Sequence, residues 1–162
     1  MIKQFVSDVE WGPLDYLVID TPPGTSDEHI SVVEVLRQCG RMDGAVLVTT
    51  PQAVSVSDVR RELTFCKMAH VPVIGLIENM CGYTCPHCQE CTFIFSSGGG
   101  ESLAQYAQVP FLGRLPIDTD LTSSMEKGAN FLDSFAGSDT AIKLNDIVDK
   151  VLCFFKTTSF AS

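Results

Sequence analysis

Residues 44–79 read GAVLVTTPQAVSVSDVRRELTFCKMAHVPVIGLIEN, and the fold follows from this stretch. Two short apolar runs, 44–50 and 71–79, flank a segment, 55–69, in which apolar side chains recur every three or four residues. The runs are typical of strands buried on both faces of a sheet, and the segment between them is typical of an amphipathic helix. A strand–helix–strand unit joins parallel strands by a right-handed crossover. We therefore predict an α/β domain with a mostly parallel sheet.

The same alternation continues on both sides of this unit. Upstream, LDYLVID (14–20) predicts a strand that is buried on both faces, followed by a helix that begins near Ser26. We find no internal repeat and no linker, so we expect one domain over residues 1–162. The remaining predicted elements are helices at 26–40, 101–107, 121–128 and 139–155 and a strand at 111–118.

Composition excludes several classes of protein. Of the 162 residues, 45% are apolar and 19% charged, which is the balance of a folded globular domain. The net charge of −9 argues against nucleic-acid partners and against attraction to an anionic membrane. The chain has neither an apolar run of about 20 residues nor a secretory signal at its start, so we expect a cytoplasmic protein.

Four of the seven cysteines lie in the sequence CGYTCPHCQEC, residues 81–91. A cytoplasmic location makes disulfides an unlikely use for them, and their spacing suits a bound metal. The Cys85–Cys88 pair could coordinate one side of Zn²⁺ or of an iron–sulfur cluster. A structural zinc site would use all four sulfurs, or three with His87, whereas a cluster could take two thiolates from this chain and two from a partner.

Two other interpretations of the cysteines have less support. A thioredoxin-like redox pair should open a helix directly after a strand, but Cys85 and Cys88 lie in a long loop between two flanking cysteines. Incidental thiols seldom gather at this density. We expect the three cysteines on predicted helices to lie in the core, because free cysteine behaves as a small hydrophobic residue. These are Cys39, Cys66 and Cys153.

Asp20 lies where the predicted strand 14–20 ends, before Thr21-Pro22-Pro23-Gly24. Open α/β sheets bind ligands at the carboxyl ends of their strands, and an acid there can help to hold Mg²⁺ on a nucleotide. The alternative is an aspartate that caps a turn. The chain contains no G-x-x-x-x-G-K-[ST] motif. The glycines of SSGGG (96–100) are followed by no lysine, so we interpret them as a turn and a helix N-terminus.

Five stretches together resemble the Mrp/Nbp-type P-loop ATPases, which are scaffolds for iron–sulfur cluster assembly. The resemblance runs from about Trp11 to the last helix and is closest to the shorter cytosolic branch of that family. It implies a three-layer P-loop NTPase fold of the SIMIBI type. The stretches are LDYLVIDTPPGTSDEH, TTPQAVSVSDVRREL, ENMCGYTCPHC, IFSSGGGESLA and VPFLGRLPID.

The resemblance also implies a function and its residues. Cys85 and Cys88 match the paired cysteines through which two subunits share a [4Fe–4S] cluster, with Cys81 and Cys91 as possible additional ligands. Asp20 matches the Walker B acid, which acts on the Mg²⁺ side of ATP, and Asn79 matches the residue that recognises adenine. The implied partners are a second copy or the longer paralogue, and apo iron–sulfur proteins as clients.

Two departures from the family pattern limit these expectations. The family usually has serine at the position of Cys81. The family's opening third, with the P-loop strand, the P-loop and the next helix, has no counterpart here, so we expect a truncated product that does not hydrolyse ATP alone. Its loss should expose the edge of strand 14–20. The alternatives are a zinc-stabilised interaction domain that uses the cysteine loop (79–100) and a non-functional truncated isoform.

Overall fold

The computed structural model describes residues 2–39, 42–84 and 91–158. The helices in these ranges are α1 (Ile2–Ser7), α2 (Asp27–Gln38), α3 (Ala53–Met68), α4 (Gly99–Ala107), α5 (Thr119–Glu126), α6 (Phe131–Ser134) and α7 (Asp139–Thr158). The strands are β1 (Ala45–Thr49), β2 (Val73–Thr84), β3 (Cys91–Thr92) and β4 (Phe111–Ile117). None of the described helices is long and apolar enough to cross a membrane.

The sheet is built around β2. Strands β1 and β4 pair with β2 in parallel, and the short β3 pairs antiparallel with its final residues. The strand–helix–strand unit at residues 44–79 therefore forms as predicted, with α3 as the crossover between β1 and β2. The predicted α/β class with a mostly parallel sheet is confirmed.

Helices cover both faces of this sheet. Leu47 and Leu76 belong to a buried cluster with side chains from α3 and α4. On the opposite face α7 packs closely, since a Cβ placed on Gly113 of β4 would lie 2.8 Å from the Ile147 side chain. Leu76 and Ile77 point to opposite faces because strand side chains alternate, and Ile77 pairs with Gly113. The domain therefore has the three layers that the family resemblance implied.

The prediction of a strand at 14–20 is wrong. The segment belongs to none of the strands in the described part of the chain, and its apolar side chains face solvent, with Val18 89% exposed. An isolated strand leaves its backbone N–H and C=O groups without ladder partners, so an apolar β-branched run is insufficient without a neighbour. The expectation for this segment was an exposed strand edge, whereas the structure shows exposed side chains on an irregular segment.

Other differences involve short elements and two cysteines. The sequence patterns did not predict α1, α6 or β3, which are two to six residues long. Cys66 is buried as expected, but Cys39 and Cys153 are exposed. Cys39 is the C-cap residue of α2, and Cys153 lies on a solvent-facing position of α7. Helical periodicity alone did not separate their positions from the buried one.

Strand β2 continues beyond the predicted end at Asn79 and contains an irregularity. Asn79 pairs with Leu115 of β4, and the next paired residue on β2 is Tyr83, which faces Ile117. Four steps along β2 therefore match two steps along β4. Met80 lies inside this β2 bulge with a φ of 58°, a left-handed conformation that is uncommon outside glycine. The bulge separates the regular sheet from the part of β2 that leads into the cysteines.

Candidate functional site

A buried carboxylate lies at the base of the cysteine loop. Glu78 of β2 is fully buried, and its Oε2 accepts a hydrogen bond of 2.7 Å from the backbone N–H of Gly100. Glu78 directly precedes the cysteine loop, and Gly100, in the first turn of α4, is its last residue. The contact therefore joins the two ends of the loop that contains Cys81, Cys85, Cys88 and Cys91.

Arg114 balances the charge of Glu78. The two residues are register partners on adjacent strands, and the Nε of Arg114 lies 3.2 Å from Oε1 of Glu78. Arg114 also pairs with Glu101 in the first turn of α4, and its guanidinium lies over the ring of Phe111. A buried carboxylate is costly unless it is paired and hydrogen-bonded, and both oxygens of Glu78 have partners here.

The SSGGG stretch forms the turn and the helix N-terminus that its sequence predicts. Gly98 caps α4 with a φ of 78°, and the helix begins at Gly99. A Cβ on Gly99 would lie 2.9 Å from the carbonyl oxygen of Pro51. Ser96 donates a 2.7 Å hydrogen bond to that same carbonyl. The returning arm of the cysteine loop thus lies directly against the end of β1 and the start of α3.

A short backbone stem lies within the cysteine loop. Tyr83 pairs with Thr92 and Thr84 pairs with Cys91, so β2 and β3 bring the two sides of the loop together. The Cys81 side chain is buried near this stem. The predicted metal ligands Cys85 and Cys88 lie outside the described residues. Among the residues that are described, no three His, Cys, Asp or Glu side chains form a group able to hold a metal ion.

Asn79, the predicted adenine-binding residue, follows Glu78 at the end of the regular part of β2. Its side chain is half-buried, and its Oδ1 accepts a 2.9 Å hydrogen bond from the backbone N–H of Met80. This contact leaves the side-chain NH₂ group available for a further bond, as amide recognition of a base requires. Asn79 lies at the carboxyl end of a parallel strand, where α/β sheets bind ligands.

Asp20, the predicted Walker B acid, is exposed and stands at the end of the irregular segment 14–20. It lines an apolar cavity of about 380 Å³ formed between this segment, α1 and α2. The structure therefore does not place Asp20 on a strand end beside Asn79. Glu62 of α3 accepts a 3.0 Å hydrogen bond from the N–H of Gly24, which ties the turn after Asp20 to the body of the domain.

Sequence analysis missed Glu78 and Arg114. An acid between Ile77 and Asn79 carries no signal by itself, and its arginine partner is 36 residues away in sequence. One clue was available, namely a charged residue inside an apolar run that was predicted to be buried on both faces. Buried acids are nearly always paired, so Glu78 in this run indicates a cationic partner on a neighbouring element.

The α/β fold with its mostly parallel sheet is shared with nucleotide-binding ATPases of known structure. An ADP complex of a nucleotide-binding protein from Archaeoglobus fulgidus is similar, with 37% identity and a TM-score of 0.65 over 78% of this chain and 51% of that chain. The cell division ATPase MinD of Pyrococcus furiosus shares the fold, with a TM-score of 0.65 over 93% of this chain and 56% of its own, at 16% identity.

The chain belongs to the ParA family described as "NUBPL iron-transfer P-loop NTPase", which it matches over residues 1–152. It is 60% identical over 151 residues to a cytosolic Fe-S cluster assembly factor NUBP2 homolog of Nematostella vectensis. The NUBP2 of Homo sapiens is 59% identical over 152 residues. These alignments cover 93% and 94% of this chain and 56% of each relative. The family resemblance seen in the motifs is confirmed.

Proposed function

We propose that this chain acts in cytosolic iron–sulfur cluster assembly, as a scaffold that holds a [4Fe–4S] cluster and passes it to apo-proteins. Its NUBP2 relatives carry the name of cytosolic Fe-S cluster assembly factors. Cys85 and Cys88 would supply two thiolates to the cluster, and the other two would come from a second copy or from a longer paralogue. The cluster is the cargo of such a scaffold.

The observation that carries this proposal is the stem at the base of the cysteines. The Thr84–Cys91 backbone pair brings together the two positions that flank residues 85–90, the six positions of the sequence that contain Cys85 and Cys88. Cys85 and Cys88 are three positions apart in the sequence between these paired residues, and soft sulfur donors are the ligands that iron–sulfur clusters take. Cys81 is buried in the domain, which suits a shared cluster less well than a thiol outside the sheet.

Nucleotide coupling is part of the proposal for full-length members of the family. Asn79 would recognise adenine, and Asp20 would act on the Mg²⁺ side of ATP once segment 14–20 is paired in a sheet. The 162 residues contain no phosphate-binding G-x-x-x-x-G-K-[ST] motif, so we assign hydrolysis to no residue of this chain. The chain spans 56% of the length of the relatives named above.

Anaerobic reconstitution with iron and sulfide tests the proposal. We expect brown absorbance and about four irons per two chains, because a shared [4Fe–4S] cluster takes two cysteines from each. The double variant Cys85→Ser/Cys88→Ser should lose both signals. The matched control Cys39→Ser/Cys153→Ser removes two exposed thiols elsewhere and should keep them. Iron that stays undiminished in the Cys85→Ser/Cys88→Ser variant would contradict the proposal.

A zinc-stabilised interaction domain is the second candidate, because four cysteines converge on one loop. It predicts one colourless zinc per chain, and metal loss when Cys81 or Cys91 is replaced. The scaffold predicts that Cys81→Ser leaves iron content unchanged. Metal analysis of the Cys81→Ser variant therefore separates the two functions.

A further inference from the structure

We propose that Glu78 is a positioning residue for the cysteine loop, where it acts as a latch that holds the loop's two ends together and so sets where its thiols stand. This inference rests on the proposed function, since it concerns how the metal-binding thiols are presented. Glu78 itself lies too deep in the sheet to be a ligand, because its side chain is fully buried under α4.

The latch joins β2 to α4, and the cysteine loop is the stretch of chain that runs between these two contact points. Between Glu78 and Gly100 the chain leaves the regular sheet, carries all four clustered cysteines and returns to start α4. The 2.7 Å bond from the Gly100 N–H to Glu78 spans 22 residues. Closing a loop of that length costs conformational entropy, which the bond and its surroundings must offset.

Gly100 is packed closely against Glu78 and Thr49. A Cβ at position 100 would lie 3.0 Å from both the Cβ of Glu78 and the Cγ2 of Thr49, and 3.1 Å from the Glu78 carboxylate. A side chain at position 100 would therefore require its neighbours to shift by a few tenths of an ångström. The Ser96–Pro51 hydrogen bond fixes the returning arm a few residues earlier. The end of the loop is therefore held at two points.

Charge makes the contact selective. A buried ion pair is seldom the most stabilising choice, and well-packed apolar residues of similar size often do as well or better. The ion pair instead restricts how β2, β4 and α4 can be arranged, since both Arg114 and the Gly100 N–H must face Glu78 at once. Arg114 extends this requirement to α4 through Glu101. Displacement of α4 would take the Gly100 N–H away from the buried carboxylate and separate Glu101 from Arg114, so the contact holds the loop ends together.

A cobalt titration of the full chain under anaerobic conditions tests the latch, with Co²⁺ alone as the probe and its thiolate charge-transfer absorption as the readout. We expect Glu78→Ala to weaken Co²⁺ binding about ten- to a hundredfold, the usual cost of losing a residue that supports metal ligands. Glu78→Gln keeps an oxygen that can accept the Gly100 N–H, so it should recover most of the affinity.

The matched control is Thr140→Val, which removes another buried polar contact, the 2.5 Å hydrogen bond from Thr140 to Asp118. It should lower thermal stability without changing Co²⁺ affinity, whereas a purely structural role for Glu78 would make the two variants behave alike. Cobalt affinity that is equal in Glu78→Ala and the unmodified chain would overturn the latch.

Gly100→Ala provides a second test if Glu78→Ala fails to fold. Its added methyl group should push α4 away from Glu78 and weaken Co²⁺ binding, while Gly137→Ala, where a Cβ meets nothing within 4 Å, should not. Unchanged affinity in Gly100→Ala would count against the latch. The proposed function fails separately, and the latch with it, if Cys85→Ser/Cys88→Ser binds Co²⁺ as tightly as the unmodified chain.

Discussion

Cys66 differs from the exposed cysteines in its surroundings. It lies on the side of α3 that packs into the core cluster. Burial raises the pKa of its thiol, and the negative charge of Glu62 makes a smaller contribution in the same direction. Thiolates are the reactive form of cysteine, so burial and a raised pKa both slow its reaction. Cys39 and Cys153 have access to solvent.

We therefore expect iodoacetamide at neutral pH to label Cys39 and Cys153 well before Cys66, as measured by mass spectrometry of peptides from the native chain. In denaturant all three should react at similar rates, which serves as the control. Early labelling of Cys66 in the native chain would show that the core around α3 opens readily.

The same pKa shift sets a pH dependence of stability. The thiol of Cys66 titrates at higher pH in the folded chain than in the unfolded chain, so the folded state binds more protons between the two pKa values. Its contribution to stability is complete below the unfolded pKa of a cysteine, about 8.5, and decreases as pH rises through the folded value.

At the level of single residues, the sequence predicts the chemistry of a site better than it predicts which residues contact one another. The cysteine spacing and its family resemblance need only the local chain, and they lead to the family that the comparison confirms. Glu78 could not be assigned because its partners, Gly100 and Arg114, are brought to it by α4 and β4. Burial of Cys66 but not of Cys153 likewise depends on which helix face meets the sheet.

Asp118, which directly follows β4, connects this strand to α5 and α7. Its Oδ1 accepts hydrogen bonds from the N–H groups of Asp120 and Leu121, at 2.8 and 3.1 Å, and so caps α5. Its Oδ2 accepts a 2.5 Å hydrogen bond from Thr140 at the start of α7. One carboxylate therefore fixes α5 and α7 to the end of β4.

Replacing Asp118 by alanine should lower the free energy of unfolding by about 1–3 kcal/mol, because a helix cap and a buried hydroxyl's partner are lost together. Asp118→Asn keeps an oxygen that can cap α5 and should lose clearly less. Urea unfolding followed by circular dichroism measures both. An alanine variant as stable as the unmodified chain would show that solvent replaces these contacts without cost.

For whole elements, the predictions succeed where the signal is local. The helices α2, α3 and α7 begin and end within a few residues of their predicted bounds, because periodicity and caps are properties of the segment itself. Strands depend on neighbours. The apolar run 14–20 forms no strand in the described structure, whereas the polar, glycine-containing end of β2 does form one, since β3 and β4 lie beside it.

On the scale of the molecule, β1 forms an open side of the sheet. In the described ranges it pairs with β2 alone, and its outward-facing Val46 and Val48 are exposed. Apolar side chains of segment 14–19 are exposed as well. An unpaired strand edge next to apolar side chains is a template for association with other chains.

We expect the chain to associate with itself as its concentration rises, and Val48→Lys to reduce this association. Val48 is 52% exposed, so a lysine there should change the free energy of unfolding by no more than about 0.5 kcal/mol. Sedimentation velocity measures the association. The control Met125→Lys changes an exposed side chain on α5 and should associate like the unmodified chain. Equal association of the Val48→Lys variant would point to a different surface.

The bulge in β2 constrains how this chain can vary in length. Asn79 and Tyr83 are separated by an even number of steps, as are their partners Leu115 and Ile117. Met80, between them, has a left-handed backbone that interrupts the regular alternation of side chains, so the bulge itself sets the pairing of Tyr83 with Ile117. Natural variants should therefore keep the length of this stretch, a bias that a survey of insertions and deletions among relatives can detect.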